Sequence, residues 1–368
     1  MNPDTKEFEV FTICYAMQWT MAETSSGTMV TYNKEDFNCT GPLHLSFIDW
    51  SNPCHQRSAL ACLTKGVYVL ERDRQMGRNE RDGLAPPWWD FLHFKLLRKL
   101  IDSADSSIFG AIFEYKPSAS HQSLQESPQF VVAFRGTITK RDSWIRDLEL
   151  DIHLLRNRLH ETTRFEIAIQ ATRSIVSNVG ESNVWLAGHS LGAAMALLAG
   201  KTMAKQGALI QTFLFNSPFF AAPIESIKNK QVKHGLRIAT SVITAGLAFA
   251  AKKGGISKQS VDPFAALAHW VPNLFVNPSD HFCSEYIGYF EHRKKMNEVG
   301  IGAIERLATQ NSLTSLISLG SSVEPLHVIP SANLVVNLTP AADFKDAHGI
   351  HQWWQPDLNL QCKLHTFA

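Results

Sequence analysis

The chain has 368 residues, 45% of them hydrophobic, enough to bury a full core in one large domain or two small ones. Its 35 basic and 34 acidic residues give a formal charge of +1, so no global field favours nucleic acid or an anionic membrane surface. Six cysteines (Cys14, Cys39, Cys54, Cys62, Cys283, Cys362) lie scattered without a CxxC pair, which excludes a dense disulfide scaffold and reads as reduced thiols in the cytoplasm.

The N-terminus carries Asp4, Glu7 and Glu9 where a secretory leader would be basic, so no secretion is expected. Residues 1–36 show little periodicity and read as a flexible extension, with Met21 as a second plausible start; residues 37–368 read as a single domain. Leu60, Leu63, Val67 and Leu70 stand at helical spacing, and the charged tract "RDRQMGRNERDG" is expected to end that helix in solvent. "APPWWDFLHFKLLRKLIDSA" follows, with prolines at its start and Trp88, Leu92, Leu96 and Leu100 along one face, and predicts a second amphipathic helix. Short apolar runs of strand length come next: 108–115, 130–136, 184–188, 210–216, 273–277 and 333–338. The first two are joined by a polar loop and suit a hairpin; helix-like segments separate most of the others. That alternation predicts an α/β fold, a mostly parallel sheet covered on both faces. The longest apolar run, residues 238–251, lies between Arg237 and the Lys252–Lys253 pair. As a helix it would span roughly 21 Å, short of a bilayer core of about 30 Å, so no transmembrane segment is expected.

"VWLAGHSLGAAMALLAGK" sets Ser190 between Gly188 and Gly192 in a G-x-S-x-G pattern, after the strand Val184–Leu186 and before an Ala- and Leu-rich helix. Strand, sharp turn and helix are the context a nucleophile elbow requires, with His189 inside the turn. The serine hydroxyl would stand at a helix N-terminus, where main-chain N–H groups favour a developing negative charge. The competing reading is an ordinary serine in a Gly-rich turn.

A serine needs a base and an orienting acid before it becomes a useful nucleophile. "NLFVNPSDHF" puts Asp280 just after a strand and a Pro turn, at the strand end where such residues sit. Asp262 in "SVDPFAALAHW" competes, with no strand leading into it. His348, beside Gly349 in the loop after 333–338, suits the base, with His351 three residues on as its rival. No carboxylate or cysteine cluster accompanies this histidine pair, so neither metal nor cofactor is expected. The oxyanion would take one donor from the N–H of Leu191 and another from Thr137, at the end of "VVAFRGT".

"VVAFRGT", "DSWIRDLELD" and "VWLAGHSLGAAMALLAG" together resemble the class 3 lipases. The likeness is closer still to a group of plant lipase-like proteins, through "LAPPWWDFLHF", "NPSDHFCSEYIGYFEHRKKM" and "AHGIHQWWQPDL". Some of that group carry the label "GDSL esterase/lipase", although no GDSL stretch occurs in this chain. The resemblance implies an α/β-hydrolase fold with Ser190 as nucleophile, Asp280 as acid, His348 as base, and Thr137 with Leu191 as oxyanion donors. It departs from the fungal pattern in two places. The 90 residues from Ser190 to Asp280 exceed the fungal interval, which implies a helical insertion before the acid, and the "GSPR" and "DPVP" landmarks become "NSPF" and "NPSD".

The expected function is therefore a serine carboxylic-ester hydrolase acting on acyl lipids. Residues 238–251 serve as a candidate lid or peripheral contact with a membrane or lipid body. Two other classes use the same residues: a lipase-like signalling protein with little hydrolysis, and an acyltransferase in which an alcohol replaces water as acceptor.

Overall fold

Among the described residues, eight strands form one sheet in the order in which they occur along the chain, β1 to β8. The structure is a computed structural model and describes residues 34–45, 47–79, 81–117, 126–138, 159–219, 267–298 and 329–366. Strand β2 (Ile108–Tyr115) runs antiparallel to both of its neighbours, β1 (Phe94–Ile101) and β3 (Phe130–Phe134). From β3 the sheet is parallel through β4 (Val184–His189), β5 (Gln211–Phe215), β6 (Asn273–Val276) and β7 (Ala332–Asn337), and β8 (Leu360–His365) returns antiparallel at the far edge. Around it, in chain order, lie helices α1 (Phe37–Thr40), α2 (Pro53–Gln75), α3 (Pro87–Asp90), α4 (Thr163–Val179), α5 (Leu191–Ala204), α6 (Glu285–Glu298) and α7 (Phe344–His348).

The monotonic strand order decides which helices share a face. Parallel crossovers of one hand that always advance in the same direction deliver their helices to the same side of the sheet. Accordingly Phe165 of α4, Met195 of α5, and Tyr286 and Phe290 of α6 bury one face together with Val184 and Leu186 of β4. The opposite face is closed by Leu60, Leu63 and Val67 of α2, by Trp88, and by Trp353 from the 3-10 turn Ile350–Trp354, packed on Trp185 and Ala187. With both faces covered, all six residues of β4 are buried, as a parallel central strand requires.

The hairpin and the mostly parallel sheet agree with the sequence reading, but the second amphipathic helix does not form. Only the turn Pro87–Asp90 is helical; His93 takes a left-handed φ of 58° and residues 94–101 become β1, paired with β2 from Phe94↔Tyr115 to Ile101↔Ile108. The i, i+4 spacing of Leu92, Leu96 and Leu100 is also even, a spacing that a strand accepts, but Leu92 precedes β1 and a register shift between Leu96 and Arg98 sends Leu96 and Leu100 to opposite faces of the sheet. The charged tract ends α2, yet Asp73 within it is buried, because its carboxylate accepts from Arg78 Nε (2.6 Å) and from the Leu84 and Ala85 N–H groups.

Glu35–Ala368 form one compact unit. Glu35 pairs with Arg78 at 2.6 Å and Asp36 caps α1, so these two residues of the expected N-terminal extension lie within it. Residues 1–33, the 238–251 segment and Asp262 lie outside the described residues. Among the described residues no helix is long and apolar enough to cross a membrane.

Candidate active site

Ser190 joins β4 to α5 with φ 55° and ψ −126°, a backbone conformation that costs an L-residue about 1–3 kcal/mol. Its N–H donates to the Phe215 carbonyl (2.9 Å), and its own carbonyl accepts from Ala193 (2.9 Å) and Ala194 (3.2 Å), which locks the turn to β5 and to the first turn of α5. Both flanking glycines are dictated by contact. A Cβ at Gly188 would stand 2.2 Å from the Gly192 carbonyl oxygen, and one at Gly192 would stand 2.3 Å from that of Phe134. At this helix start the Leu191 and Gly192 N–H groups have no intrahelical acceptor.

The serine hydroxyl meets one histidine. Ser190 Oγ lies 3.0 Å from His348 Nε2, and His348 Nδ1 lies 2.9 Å from Asp280 Oδ2. The carboxylate only accepts, so Nδ1 carries the ring proton and Nε2 is left to accept from the serine hydroxyl. His348 ends the one-turn helix α7 that follows β7, and Asp280 sits in the turn that follows β6. His351, by contrast, is half-exposed with its Nε2 3.5 Å from Asp346. Phe344 stacks on the His348 ring and Phe282 meets it edge-on.

Asp280 is fully buried, and Asn216, Cys283 and Phe282 donate to it alongside His348. Burial works to raise its pKa, but the His348 charge and the hydrogen bonds from His348, Asn216 and Cys283 outweigh it and hold the carboxyl below its ordinary value. Burial pushes the Cys283 thiol well up, with the neighbouring Asp280 charge acting in the same direction.

Three residues around this row carry no signal in the sequence motifs. Asn216 follows β5, in the "NSPF" that departs from the lipase landmark. Tyr68, on α2, accepts from the Gly136 N–H (2.7 Å) and reaches His189 Nδ1 (2.8 Å). Trp353 donates its indole N–H to Asn216 Oδ1 (2.6 Å); the "HQWW" stretch marks it only as a bulky residue. His189, read from the sequence as a residue of the turn, bridges Tyr68 to the His348 carbonyl (2.7 Å). Burial first, then the His348 charge, lowers its pKa to about 3, so it is neutral at working pH.

At the end of β3, Gly136 approaches the serine: a Cβ there would lie 2.9 Å from Ser190 Cβ. Thr137 follows it directly. A cavity of about 310 Å³ adjoins this strand end; Phe109, Phe134, Leu159, Leu191 and Met195 form its apolar wall, and Asp102, Arg135, Thr162, Thr163 and Arg164 add a polar side. Among the described residues no three His, Cys, Asp or Glu side chains cluster as metal ligands would.

Parallel strands that lead to a serine on a strained strand-to-helix turn, with a histidine and an aspartate arriving from later strand ends, define an α/β-hydrolase. The family described as Lipase (class 3) matches residues 131–224. The "GDSL esterase/lipase At4g10955" of Arabidopsis thaliana is 56% identical over 351 residues, covering 92% of this chain and 100% of that protein. A crystal structure of the lipase from Rhizopus microsporus var. chinensis is 15% identical, with a TM-score of 0.28 over 45% of this chain and 57% of that one, a likeness too partial to bear on the topology. The chain belongs to the class 3 lipases, and with them to the carboxylic-ester hydrolases.

Proposed function

We propose that the protein hydrolyses acyl lipid esters through an acyl-enzyme on Ser190, with His348 as general base and acid and Asp280 as the group that orients it. The observation that carries this reading is the continuous row Ser190 Oγ, His348 Nε2, His348 Nδ1, Asp280 Oδ2, with contacts of 3.0 and 2.9 Å. His348 takes the hydroxyl proton as Oγ attacks the ester carbonyl, and the resulting oxyanion is held by the Leu191 N–H and by Thr137. His348 then protonates the departing alcohol. A water deprotonated by the same imidazole attacks the acyl-enzyme and releases the carboxylic acid, which restores the serine. Asp280 keeps the imidazole in the tautomer that can accept from Ser190 and stabilises the imidazolium formed in each half-reaction.

The lipase family membership and the apolar wall of the cavity that shares Leu191 with the oxyanion region support an acyl chain as the substrate's main contact. The scattered cysteines support a reducing compartment, the cytoplasm. The test is Ser190→Ala, assayed on a p-nitrophenyl acyl ester and by fluorophosphonate labelling. Loss of both, with the circular dichroism of the parent, is the expected result; undiminished turnover would overturn the mechanism.

A further inference from the structure

Asn216 is fully buried at the end of β5 and takes a left-handed φ of 49°, a region that asparagine tolerates better than most residues. Of the four groups that meet its amide, three have fixed hydrogen-bonding roles, the Cys283 thiol being the fourth. Trp353 Nε1 can only donate, and it meets Oδ1 at 2.6 Å; Asp280 Oδ2 and the Ala347 carbonyl can only accept, and they meet Nδ2 at 2.6 and 3.0 Å. The indole therefore sets which way the amide faces, and both amide protons point at the site. One lands on the same carboxylate oxygen that receives His348 Nδ1–H. The other lands on the carbonyl of the residue before His348, which Gln352 Nε2 also holds at 2.6 Å.

We propose that Asn216, aimed by Trp353, is a positioning residue that holds the Asp280 carboxylate and the His348 main chain in register with each other. The inference rests on the assignment of Ser190, His348 and Asp280 made above. Two geometric facts carry it. One amide joins the acid to the base's backbone, and three of the four groups around that amide, all but the Cys283 thiol 3.7 Å from Nδ2, dictate its orientation. An aspartate at 216 would oppose the Asp280 charge, while an apolar residue would leave the Trp353 N–H and one carboxylate lone pair without partners. The other titratable groups facing this pair are Cys283, whose Sγ lies 3.2 Å from Asp280 Oδ2, and the neutral His189, whose ring centre lies 5.1 Å from that of His348.

The experiment is Asn216→Gly, because glycine keeps the left-handed backbone and removes only the amide. Esterase assays across pH are expected to show kcat lower by about 10- to 100-fold with KM changed by less than about twofold, as for other partners that orient a reacting residue without touching substrate. The acidic limb of kcat/KM should move to higher pH, since a carboxylate with one donor fewer holds the imidazolium more strongly. A folded variant whose kcat and acidic limb match the parent overturns the inference, even where its melting temperature falls, because that pattern is a structural role only. If Asn216→Gly does not fold, Trp353→Phe decides: it keeps a ring in the core and frees the amide to rotate, and should move kcat and the acidic limb in the same directions by less. An unmoved profile there overturns the inference equally. Turnover that survives in Ser190→Ala would instead overturn the assignment on which the inference rests.

Discussion

His189 Nε2 donates to the main-chain carbonyl of His348 at 2.7 Å, across 159 positions of sequence, so the residue before the serine holds the backbone of the histidine that faces it. Because a carbonyl only accepts, this bond fixes the neutral His189 with its proton on Nε2 and leaves Nδ1 to accept the Tyr68 hydroxyl proton at 2.8 Å. The Tyr68 oxygen accepts in turn from the Gly136 N–H at 2.7 Å. One chain of hydrogen bonds thus runs from the His348 backbone to the strand end that carries Thr137.

Tyr68→Phe breaks that chain at its middle while leaving the ring in place. Two buried groups, the Gly136 N–H and His189 Nδ1, lose their partner, and each such loss costs about 1–3 kcal/mol. The variant should lose about 2 kcal/mol or more in urea unfolding and should also turn over more slowly, because Gly136 is no longer tethered. Stability and kcat both equal to the parent would show the chain to be incidental.

Thr137→Val keeps the shape of the side chain and removes its hydroxyl. Removing a donor to an oxyanion costs about 10²- to 10³-fold in kcat with little effect on ground-state binding. Steady-state kinetics on a short acyl ester should show that fall in kcat with KM nearly constant. A kcat within about threefold of the parent would take the hydroxyl out of the oxyanion site.

Ser190→Gly and Ser190→Ala both delete the hydroxyl, and they differ in backbone freedom. Glycine adopts φ 55°, ψ −126° readily, whereas alanine bears the same strain as serine. Although glycine also gains entropy in the unfolded chain, worth about 0.5–1 kcal/mol, relief of about 1–3 kcal/mol should leave it the more stable variant. Thermal melting of the two inactive proteins checks this; a lower melting temperature for Ser190→Gly would mean that the elbow stores no strain.

Legibility in the sequence followed how local each constraint is. The serine turn was readable because strand, glycines and helix are contiguous, and the central strands because burial on both faces makes them plain apolar runs. Asp280 and His348 were readable only as strand-end residues, and their approach to Ser190 and to each other depends on how β4, β6 and β7 line up in the sheet. The edge strands were hidden for the opposite reason. β8 is largely exposed and carries no alternation to read, and a register shift between Leu96 and Arg98 breaks the alternation of β1, leaving the leucines of "FLHFKLLRKL" at a spacing that also suits a helix. Tyr68 and Asn216 had no signature at all, since a tyrosine on an apolar helix and an asparagine after a strand become significant only through partners 68 and 64 positions away.

Acid should weaken this protein before its carboxylates titrate, because the buried His189 and the half-buried His365 are held neutral. His189 is lowered to about 3 by burial and by the His348 charge. His365 is lowered to about 4 by burial and by the charges of Arg293, Lys363 and Lys294. In the unfolded chain both return to about 6.5, so between that value and the folded ones the unfolded state binds more protons, and stability must rise with pH. The contribution is fully present above pH about 6.5 and is lost as pH falls towards the folded values. For His189 the slope approaches about 1.4 kcal/mol per pH unit once the unfolded histidine is protonated, which amounts to roughly 2 kcal/mol between pH 6.5 and 4.5. His365 adds to this with the same sign but less, since it is half-buried and water screens its surroundings. Asp280, Glu71 and Asp102 are all held below the ordinary carboxylate value, so they add to the loss only further into acid. Urea unfolding measured at intervals from pH 7.5 to 4.5 should therefore be flat at first and then fall with this slope below about pH 6.5. A free energy of unfolding that stays constant down to pH 4.5 would mean that His189 is protonated in the folded state, and the bond to the His348 carbonyl could not then fix its tautomer.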